Sequence, residues 1–301
     1  MVLNEIICLK DVTKTFKDKK AVDGVSFSIR QGEVAAILGP NGAGKTTTLS
    51  MMLGLLQPSS GTVKVLGENP NSRKVREKIG AMLQEVSVID ALTVKEVIQL
   101  FRSYYPEPLS FEELVNLSGL KEDELKKRAE KLSGGQKRRL SFALAMAGDP
   151  EVLFFDEPTV GMDIHSRKIF WQTVHLLKNR GKTIIFTTHY LQEADDTAER
   201  IILFHNGRLI EDGSPAEIKA KLTRKSVSFR KTEAINIKGL ENLPHIQKVS
   251  VKGGRVHIET DDTDAVLSSL YKLNGYWKDI QVDSGRLEDA FEQLTEEKEA
   301  V

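Results

Sequence analysis

The strongest signal in this sequence is the stretch GPNGAGKT at residues 39–46. It matches G-x-x-x-x-G-K-[ST], in which glycines let the backbone curl tightly and point its N–H groups at phosphate. An apolar run over residues 33–38 predicts a strand before the stretch, and residues 46–56 carry a helical pattern after it. This strand–loop–helix context favours a phosphate-binding loop over a glycine-rich turn with a surface lysine. In such a loop Lys45 reaches the β- and γ-phosphates of a nucleotide, and the Thr46 hydroxyl binds Mg²⁺.

Two adjacent carboxylates follow a second apolar run, VLFF at residues 152–155. Four apolar residues in succession predict a buried parallel strand, so Asp156 and Glu157 stand at its carboxyl end. Beside a phosphate loop, Asp156 can bind Mg²⁺, and Glu157 can orient or deprotonate an attacking water. Taken alone, the pair is more typical of an acidic strand end in solvent. The phosphate loop on the same chain favours the metal and water roles.

Strands alternate with helices over most of the chain, which predicts an α/β fold with a mainly parallel sheet. Residues 93–101, 110–117 and 122–132 each carry a helical pattern, and this indicates an inserted helical subdomain at about residues 85–150. Beyond residue 225 the predicted order is βαββαβ, the ferredoxin-like pattern. We therefore expect two domains, residues 1–222 and a small α+β domain at residues 223–301. The second domain has predicted strands at 226–230, 248–252, 255–259 and 280–282, and predicted helices at 240–246, 263–273 and 286–295.

Composition limits the class of protein. Lysine plus arginine and aspartate plus glutamate both number 43, so there is no net basic charge to attract nucleic acid, and no nucleic-acid partner is expected. The single cysteine, Cys8, cannot form an internal disulfide, which fits a reducing compartment. The N-terminus is a poor signal peptide, and no stretch approaches the ~18 apolar residues of a membrane helix. We expect a chain that does not cross a membrane by itself.

The order of the motifs resembles that of one protein family. After the phosphate loop come Gln84, LSGGQ at residues 132–136, Asp156 with Glu157, GMD at residues 161–163, and His189. This order is similar to that of the nucleotide-binding subunits of ATP-binding cassette (ABC) transporters, over about residues 3–222. The resemblance implies a P-loop NTPase fold of the ABC type, with a RecA-like core, an antiparallel β subdomain and a helical subdomain.

The same resemblance implies which residues bind ATP and Mg²⁺. It places Phe16 against adenine and assigns the phosphates to Asn41, Gly42, Ala43, Gly44, Lys45, Thr46 and Thr47. It assigns Mg²⁺ to Thr46, Gln84 and Asp156, and catalysis to Glu157, His189 and Gln84. Further nucleotide contacts fall to Ser133, Gly134, Gly135, Gln136 and Asp163. Taken alone, Phe16 is also typical of a core aromatic residue, and His189 of a strand-end histidine with a backbone contact.

Two positions depart from the family pattern beside residues 161–163. Val160 stands where a small polar residue is usual, and Ile164 stands where proline commonly follows Asp163. Loss of proline frees φ at that position, so the sequence leaves the details of coupling between subunits undecided. Elsewhere, the basic run KRR at residues 137–139 is interpreted as a solvated helix face, and the five histidines other than His189 show no metal spacing.

The resemblance implies a cytoplasmic ATPase subunit, peripheral on the inner face of the cell membrane, that powers an exporter through ATP-driven dimerisation. Each ATP would lie between the phosphate loop of one copy and residues 133–136 of a second copy. A separate permease would span the membrane. GKTIIFTTHYLQEAD at residues 181–195 and RLEDAFEQLT at residues 286–295 most resemble the ABC-2-type exporters of drugs, antibiotics or sodium. The expected cargo is a drug, an antibiotic or another small molecule.

A competing hypothesis is a non-transport ABC ATPase that acts on a ribosome, DNA or a protein assembly. Ribosome-type members usually carry two cassettes in one chain, and DNA-repair members insert a long coiled coil. This chain carries one cassette and a short insertion. The C-terminal domain is interpreted as a dimer-stabilising or packing module, with a regulatory sensor as the sharper alternative.

Overall fold

The computed structural model describes residues 4–84, 89, 91–222, 225–231, 237–241, 243–273 and 277–283. The chain forms two compact units, Met1–Ser214 and Pro215–Val301. The boundary expected from the sequence, after residue 222, lies further along the chain and stays a prediction. Among the described residues, no helix combines the length and the apolar character that a bilayer crossing requires.

Two sheets make up the strand framework of the first unit. Its strands are β1 Glu5–Phe16, β2 Lys19–Arg30, β3 Val34–Leu38, β4 Ser60–Val65, β5 Ile79–Met82, β6 Val152–Asp156, β7 Thr183–Thr187, β8 Arg200–His205 and β9 Arg208–Gly213. The larger sheet has the order β5-β6-β7-β3-β8-β9. Its first five members are parallel and β9 is antiparallel. The smaller sheet, β2-β1-β4, is antiparallel.

Burial explains why the central strands are parallel. Every residue of β3, β6 and β7 is buried, as expected for strands covered on both faces. One continuous cluster of buried side chains includes Ile7 and Val65 from the smaller sheet with Ile37, Phe154 and Phe204 from the larger one. The cluster packs the two sheets into one core. Because the carboxyl ends of parallel strands meet at one edge, the segments that follow β3, β6 and β7 converge there.

The helices of the first unit begin at side-chain caps where the sequence supplies them. Thr93, Ser110 and Ser133 each form a capping box with a glutamate or glutamine three residues later. The helices are α1 Lys45–Met52, α2 Arg73–Arg76, α3 Val94–Arg102, α4 Phe111–Ser118, α5 Glu122–Leu125, α6 Gly134–Ala145, α7 Ile164–Asn179 and α8 Leu191–Thr197, with a 3₁₀ turn at Ala129–Lys131. Helices α3 to α6 lie between β5 and β6 in the chain and form the expected helical insertion.

Two helix predictions were too long. The first helix was expected to reach residue 56, but it ends at Met52, because the chain turns through Gly54 with a φ of +71°. The helix expected over residues 122–132 is divided into α5 and the 3₁₀ turn. Lys126 caps α5, and Arg128 is extended, so the helical hydrogen bonds stop between them.

The second unit has the topology that its sequence predicts. Its elements are α9 Pro215–Leu222, β10 Lys225–Arg230, α10 Ile237–Leu240, β11 Ile246–Lys252, β12 Arg255–Thr260, α11 Thr263–Lys272 and β13 Gln281–Asp283. The sheet order β11-β12-β10-β13, antiparallel throughout, is that of a ferredoxin-like βαββαβ fold. The helix expected at residues 240–246 is wrong in position: α10 ends at Leu240, and Ile246 begins β11. The helix expected at residues 286–295 lies outside the described residues.

Candidate active site

The phosphate loop connects β3, the strand between β7 and β8, to α1. At Gly39, φ is +154°, and an added Cβ would lie 2.4 Å from the carbonyl oxygen of Phe204. At Gly44, which caps α1, φ is +101°, and an added Cβ would lie 2.5 Å from the carbonyl oxygen of Ala21. The backbone of neighbouring strands therefore excludes any side chain at both positions, and glycine fixes the curvature of the loop.

Lys45 is the first residue of α1 and is only 6% exposed. Its Nζ donates hydrogen bonds to the carbonyl oxygens of Gly39 at 2.7 Å and Pro40 at 3.1 Å. Burial lowers the pKa of the Lys45 ammonium group, and the nearby carboxylates of Glu157 and Asp156 partly oppose that shift. The structure thus holds a cation over the start of the loop and close to the two carboxylates that follow β6.

Asp156 ends β6 beside the first turn of α1 and is 2% exposed. Its Oδ1 accepts a hydrogen bond from the Thr187 hydroxyl at 2.5 Å and lies 3.4 Å from the Thr46 hydroxyl. Carboxylate and hydroxyl oxygens are ligands that Mg²⁺ prefers, and the ion usually adds only one or two carboxylates to its waters and phosphates. The described residues contain no cluster of three or more His, Cys, Asp or Glu side chains that could hold a metal alone. Thr46 and Asp156 fit an ion shared with nucleotide phosphates.

Glu157 contacts the other two residues that are expected to act in catalysis, His189 and Gln84. Its Oε1 lies 3.4 Å from Nδ1 of His189, and its Oε2 accepts a hydrogen bond from Nε2 of Gln84 at 3.2 Å. Its backbone is left-handed, with a φ of +47°, and its N–H donates to the Thr187 hydroxyl at 2.9 Å. A left-handed non-glycine residue is strained and persists only where its surroundings hold it. The surroundings here direct the carboxylate towards His189 and Gln84.

Phe16 lies at the end of β1, and its side chain is not part of the core. The residue is 48% exposed, and Nζ of Lys14 lies 5.2 Å from the centre of the ring. The alternative of a core phenylalanine is therefore wrong, and about half of the residue is accessible to solvent. Within the phosphate loop, Asn41 and Gly42 are exposed, Ala43 is buried, and Thr47 is half-buried in α1.

The LSGGQ stretch leads into α6, and the side chains of Ser133 and Gln136 cap the start of that helix. The Ser133 hydroxyl accepts a hydrogen bond from the Gln136 N–H at 3.3 Å, and Oε1 of Gln136 accepts one from the Ser133 N–H at 2.8 Å. Nε2 of Gln136 donates to the buried carboxylate of Glu124 at 2.8 Å. Gly134 and Gly135 add two N–H groups in the first helical turn. Among the described residues, no hydrogen bond joins residues 133–136 to residues 39–47.

The interpretation of residues 137–139 as a solvated face is wrong for Arg138. Arg138 is 7% exposed, and its Nη1 donates to the carbonyl oxygen of Leu83 at 3.1 Å. Burial lowers the pKa of the Arg138 guanidinium, while the charges of Glu157 and Asp156 oppose the shift. Leu83 precedes Gln84, so Arg138 ties α6 to the segment that carries Gln84. The sequence signal was helical phase: Arg138 precedes the buried Phe142 by four residues.

The adjacent basic residue is also partnered. Nη2 of Arg139 donates to Oε1 of Glu124 at 2.8 Å, and its Nη1 donates to the Gly119 carbonyl oxygen at 3.3 Å. Arg138 is buried and Arg139 is half-buried, because the helix presents the two side chains to different neighbours. Glu124 accepts hydrogen bonds from both Gln136 and Arg139. These donors are needed because the carboxylate of Glu124 is only 4% exposed.

Asp163 caps α7, and among the described residues its side chain hydrogen-bonds within that helix and not to the phosphate loop. Its carboxylate accepts hydrogen bonds from the Ser166 N–H at 2.9 Å and the Ser166 hydroxyl at 2.7 Å. These hydrogen bonds lower the pKa of Asp163 from its ordinary value of 3.8. Ile164 begins α7 and is 87% exposed, so the residue that departs from the family pattern presents an apolar side chain to solvent.

A phosphate loop after a central parallel strand, with paired carboxylates after a neighbouring strand, defines the class of P-loop nucleotide hydrolases. The model of the ABC transporter family matches residues 22–160. The chain is 36% identical over 306 residues to the Nod factor export ATP-binding protein I of Rhizobium sp. (strain N33), with 96% of each chain covered. It is 40% identical over 215 residues to the protein of the same name from Burkholderia orbicola (strain AU 1054), covering 69% of this chain and 71% of that one.

Solved structures agree with this relationship. A dimeric ATP-binding cassette in a post-hydrolysis state, bound to ADP and Pi, matches with a TM-score of 0.64 and 29% identity, covering 69% of this chain and 98% of that chain. An ATP-binding subunit of an ABC transporter matches with a TM-score of 0.66 and 25% identity, covering 72% and 92%. The chain therefore belongs to the family of ABC transporter ATP-binding proteins, which are ATPases. The expected fold class, the ABC type of P-loop NTPase, is confirmed.

Proposed function

We propose that two copies of this chain close around two ATP·Mg²⁺ and hydrolyse them to drive export through a separate membrane-spanning permease. The observation that carries the proposal is the division of the site. Lys45 lies close to Asp156 and Glu157 in one chain, whereas within the described part of the chain residues 133–136 make no hydrogen bond to the phosphate loop. Ser133 and Gly134 are exposed at the start of α6, where they can meet the nucleotide of a second copy.

The roles of the side chains follow from their chemistry. Lys45 and the N–H groups of the phosphate loop bind and neutralise the phosphates, and Thr46 and Asp156 hold Mg²⁺, which polarises the phosphoryl oxygens when bound. Glu157 orients the attacking water and accepts its proton. His189 donates a hydrogen bond towards the γ-phosphate, and Gln84 positions the water beside Glu157. In this assignment, Phe16 stacks on adenine.

Dimerisation follows from the same division. ATP contacts both faces only when two copies are closed, so its binding favours the closed state, and loss of the γ-phosphate favours reopening. The similar cassette that was solved as a dimer with ADP and Pi supports this arrangement. In it, Ser133, Gly134, Gly135 and Gln136 of one copy complete the site of the other, with Asp163 at the interface.

The names of the relatives support export as the direction of transport. Relatives similar over 96% of this chain are named as export ATP-binding proteins. We place the subunit in the cytoplasm, on the inner face of the membrane, and assign the contacts with a small-molecule cargo to the permease. Action on a ribosome, DNA or a protein assembly has no comparable support. When the chain is produced with its permease, it should sediment with membranes; recovery only in the soluble fraction would favour that alternative.

The Glu157→Gln variant tests the dimeric ATPase directly. It keeps the size and shape of the side chain but cannot accept the proton of water, so ATP should remain bound between two copies. Size-exclusion chromatography with saturating ATP·Mg²⁺ should show a dimer that contains ATP. The double variant Lys45→Ala/Glu157→Gln is the control and should remain monomeric. A Glu157→Gln variant that stays monomeric would contradict the proposal.

A further inference from the structure

Glu193 of α8 is a buried carboxylate outside the set of residues assigned above. It is 7% exposed, and each of its oxygens accepts one threonine hydroxyl: Oε1 from Thr159 at 2.7 Å, and Oε2 from Thr188 at 2.9 Å. Both threonines are themselves buried, at 1% and 2% exposure. Burial of a carboxylate charge costs free energy, and hydrogen bonds to its oxygens must offset that cost. Glu193 therefore holds two separate segments at fixed positions.

The first segment carries the catalytic histidine. Thr188 immediately precedes His189, and its hydroxyl both donates to Glu193 and accepts a hydrogen bond from the Tyr190 N–H at 3.0 Å. The Glu193 N–H in turn donates to the Tyr190 carbonyl oxygen at 3.0 Å. His189 thus lies between two residues that both hydrogen-bond to Glu193: Thr188 through its hydroxyl, and Tyr190 through its carbonyl oxygen. The turn sets the direction in which the imidazole projects.

The second segment leads from the catalytic carboxylate to Asp163. Thr159 lies two residues after Glu157, and its carbonyl oxygen accepts a hydrogen bond from the Met162 N–H at 3.0 Å. Asp163 follows and caps α7. Thr159 therefore anchors one end of the loop that the proposed function places at the interface with the second copy. The same carboxylate thus binds both this loop and the turn that contains His189.

Arg167 adds a third connection to the same group. It lies on the first turn of α7, where its N–H donates to the Asp163 carbonyl oxygen at 2.9 Å. Its Nε lies 3.4 Å from Oε1 of Glu193. Its guanidinium lies 4.4 Å from the centre of the Tyr190 ring, and that ring lies 4.2 Å from the imidazole of His189. A contiguous set of polar and aromatic contacts therefore runs from Asp163 to His189.

We propose that Glu193 is a positioning residue that couples the Asp163 loop to His189. Closure of a second copy against the loop would restrain Thr159 and Arg167, and Glu193 would transmit that restraint to the turn at residues 188–190. The hydrolytic alignment of His189 would then depend on the interface. This inference rests on the proposed roles of His189 and Asp163. Glu193 itself contacts neither nucleotide nor water in this scheme.

The test combines Glu193→Gln with His189→Ala and measures phosphate release over a range of ATP concentrations. Glutamine keeps the shape of the side chain but loses the charge that attracts Arg167 and one hydrogen-bond acceptor. We expect kcat to fall about tenfold, the cost of one charged hydrogen bond, with KM for ATP unchanged within about twofold. In the His189→Ala background the same substitution should lower kcat by less than about twofold, because its effect acts through His189.

Two further comparisons separate positioning from folding. Thr159→Val removes the hydroxyl without changing the shape of the residue and should lower kcat, while Thr159→Ser keeps the hydroxyl and should restore it. Glu33→Gln is the matched control, because Glu33 also lies beside an arginine, Arg200 at 3.7 Å, but at the amino end of β3. It should keep the kcat of the unmodified protein.

Two results would overturn the inference while leaving the proposed function intact. One is an equal loss of kcat from Glu193→Gln with and without His189. The other is a Glu193→Gln variant as active as Glu33→Gln. If His189→Ala alone leaves kcat unchanged, the proposed role of His189 is wrong, and the inference is wrong with it.

Discussion

Glu157 and His189 face each other across the ends of two neighbouring parallel strands, with the carboxylate Oε1 3.4 Å from the imidazole Nδ1. The register of β6 and β7 pairs Asp156 with Thr187, so Glu157, one residue beyond, and His189, two residues beyond, emerge at the same edge of the sheet. Sheet geometry therefore brings together two groups that are far apart in the sequence. The proposed catalytic arrangement of Glu157 and His189 depends on that register.

Glu157→Gln should lower the rate of ATP hydrolysis about 10²–10⁴-fold, because it removes the group that accepts a proton from water. Nucleotide affinity should be retained, since Lys45 and the phosphate loop are unchanged. Glu151→Gln is the control: Glu151 stands just before β6, at the opposite end of the strand, where it pairs with Lys78 at 2.6 Å. Equal losses in both variants, measured by phosphate release, would contradict the assignment.

Thr187→Val should raise the Mg²⁺ concentration needed for half-maximal hydrolysis. Its hydroxyl donates to Asp156 Oδ1 at 2.5 Å, and without it a buried carboxylate loses the donor that fixes its orientation. Thr183→Val is the control, since its hydroxyl accepts a hydrogen bond from the Gly32 N–H at 2.9 Å at the other end of β7. Both variants should lose about 1–3 kcal/mol of stability, but only Thr187→Val should shift the Mg²⁺ titration.

Gly44→Ala should abolish measurable ATP binding. The new Cβ would lie 2.5 Å from the Ala21 carbonyl oxygen, so the loop must change shape. Gly32→Ala is the control, because its φ of +77° is also left-handed but the nearest atom to an added Cβ is 4.0 Å away. That control should lose only about 1–2 kcal/mol of stability for the left-handed backbone. A fluorescent nucleotide titration and thermal unfolding would measure both effects, and unchanged binding in Gly44→Ala would refute the prediction.

Ser166→Ala should raise the pKa of Asp163 towards 3.8. Hydrogen bonds from the Ser166 hydroxyl and N–H favour the ionised carboxylate and lower its pKa in the folded protein. The ionised Asp163 therefore stabilises the folded protein above the unfolded pKa of 3.8, and this stabilisation is lost as the pH falls through the lower folded pKa. Removing the hydroxyl leaves the backbone N–H donors, chiefly that of Ser166. NMR titration of the Asp163 carboxyl carbon measures the shift, and an unchanged or lower pKa would be inconsistent with this account.

The parts of the site that could be predicted are local. Lys45 and Thr46 belong to one short pattern, and Asp156 with Glu157 follow an apolar run that could only be a covered strand. Because parallel strands end at a common edge, the sequence was enough to expect these groups together. The antiparallel second unit was predictable for a similar reason, since alternation and the glycine pair at residues 253 and 254 define its hairpin.

The parts that could not be predicted depend on tertiary contacts. Arg138 looks solvated in sequence, but its partner is a backbone carbonyl at Leu83, on a different segment. Glu193 is one of several acidic residues in a short helix, and its importance is visible only when Thr159 and Thr188 are found beside it. Side chains that act on distant backbone or hydroxyl groups carry no periodic signal of their own.

Mixing two inactive variants shows whether each site is shared between two copies. Lys45→Ala removes the phosphate-loop half of every site in a homodimer, and Ser133→Arg blocks the α6 half. In a mixed dimer both defects fall in one site, and the other site is intact. Random pairing of equal amounts should therefore restore about a quarter of the wild-type sites, and phosphate release should rise accordingly. A mixture no more active than the two variants measured separately would show that each site is complete within one chain.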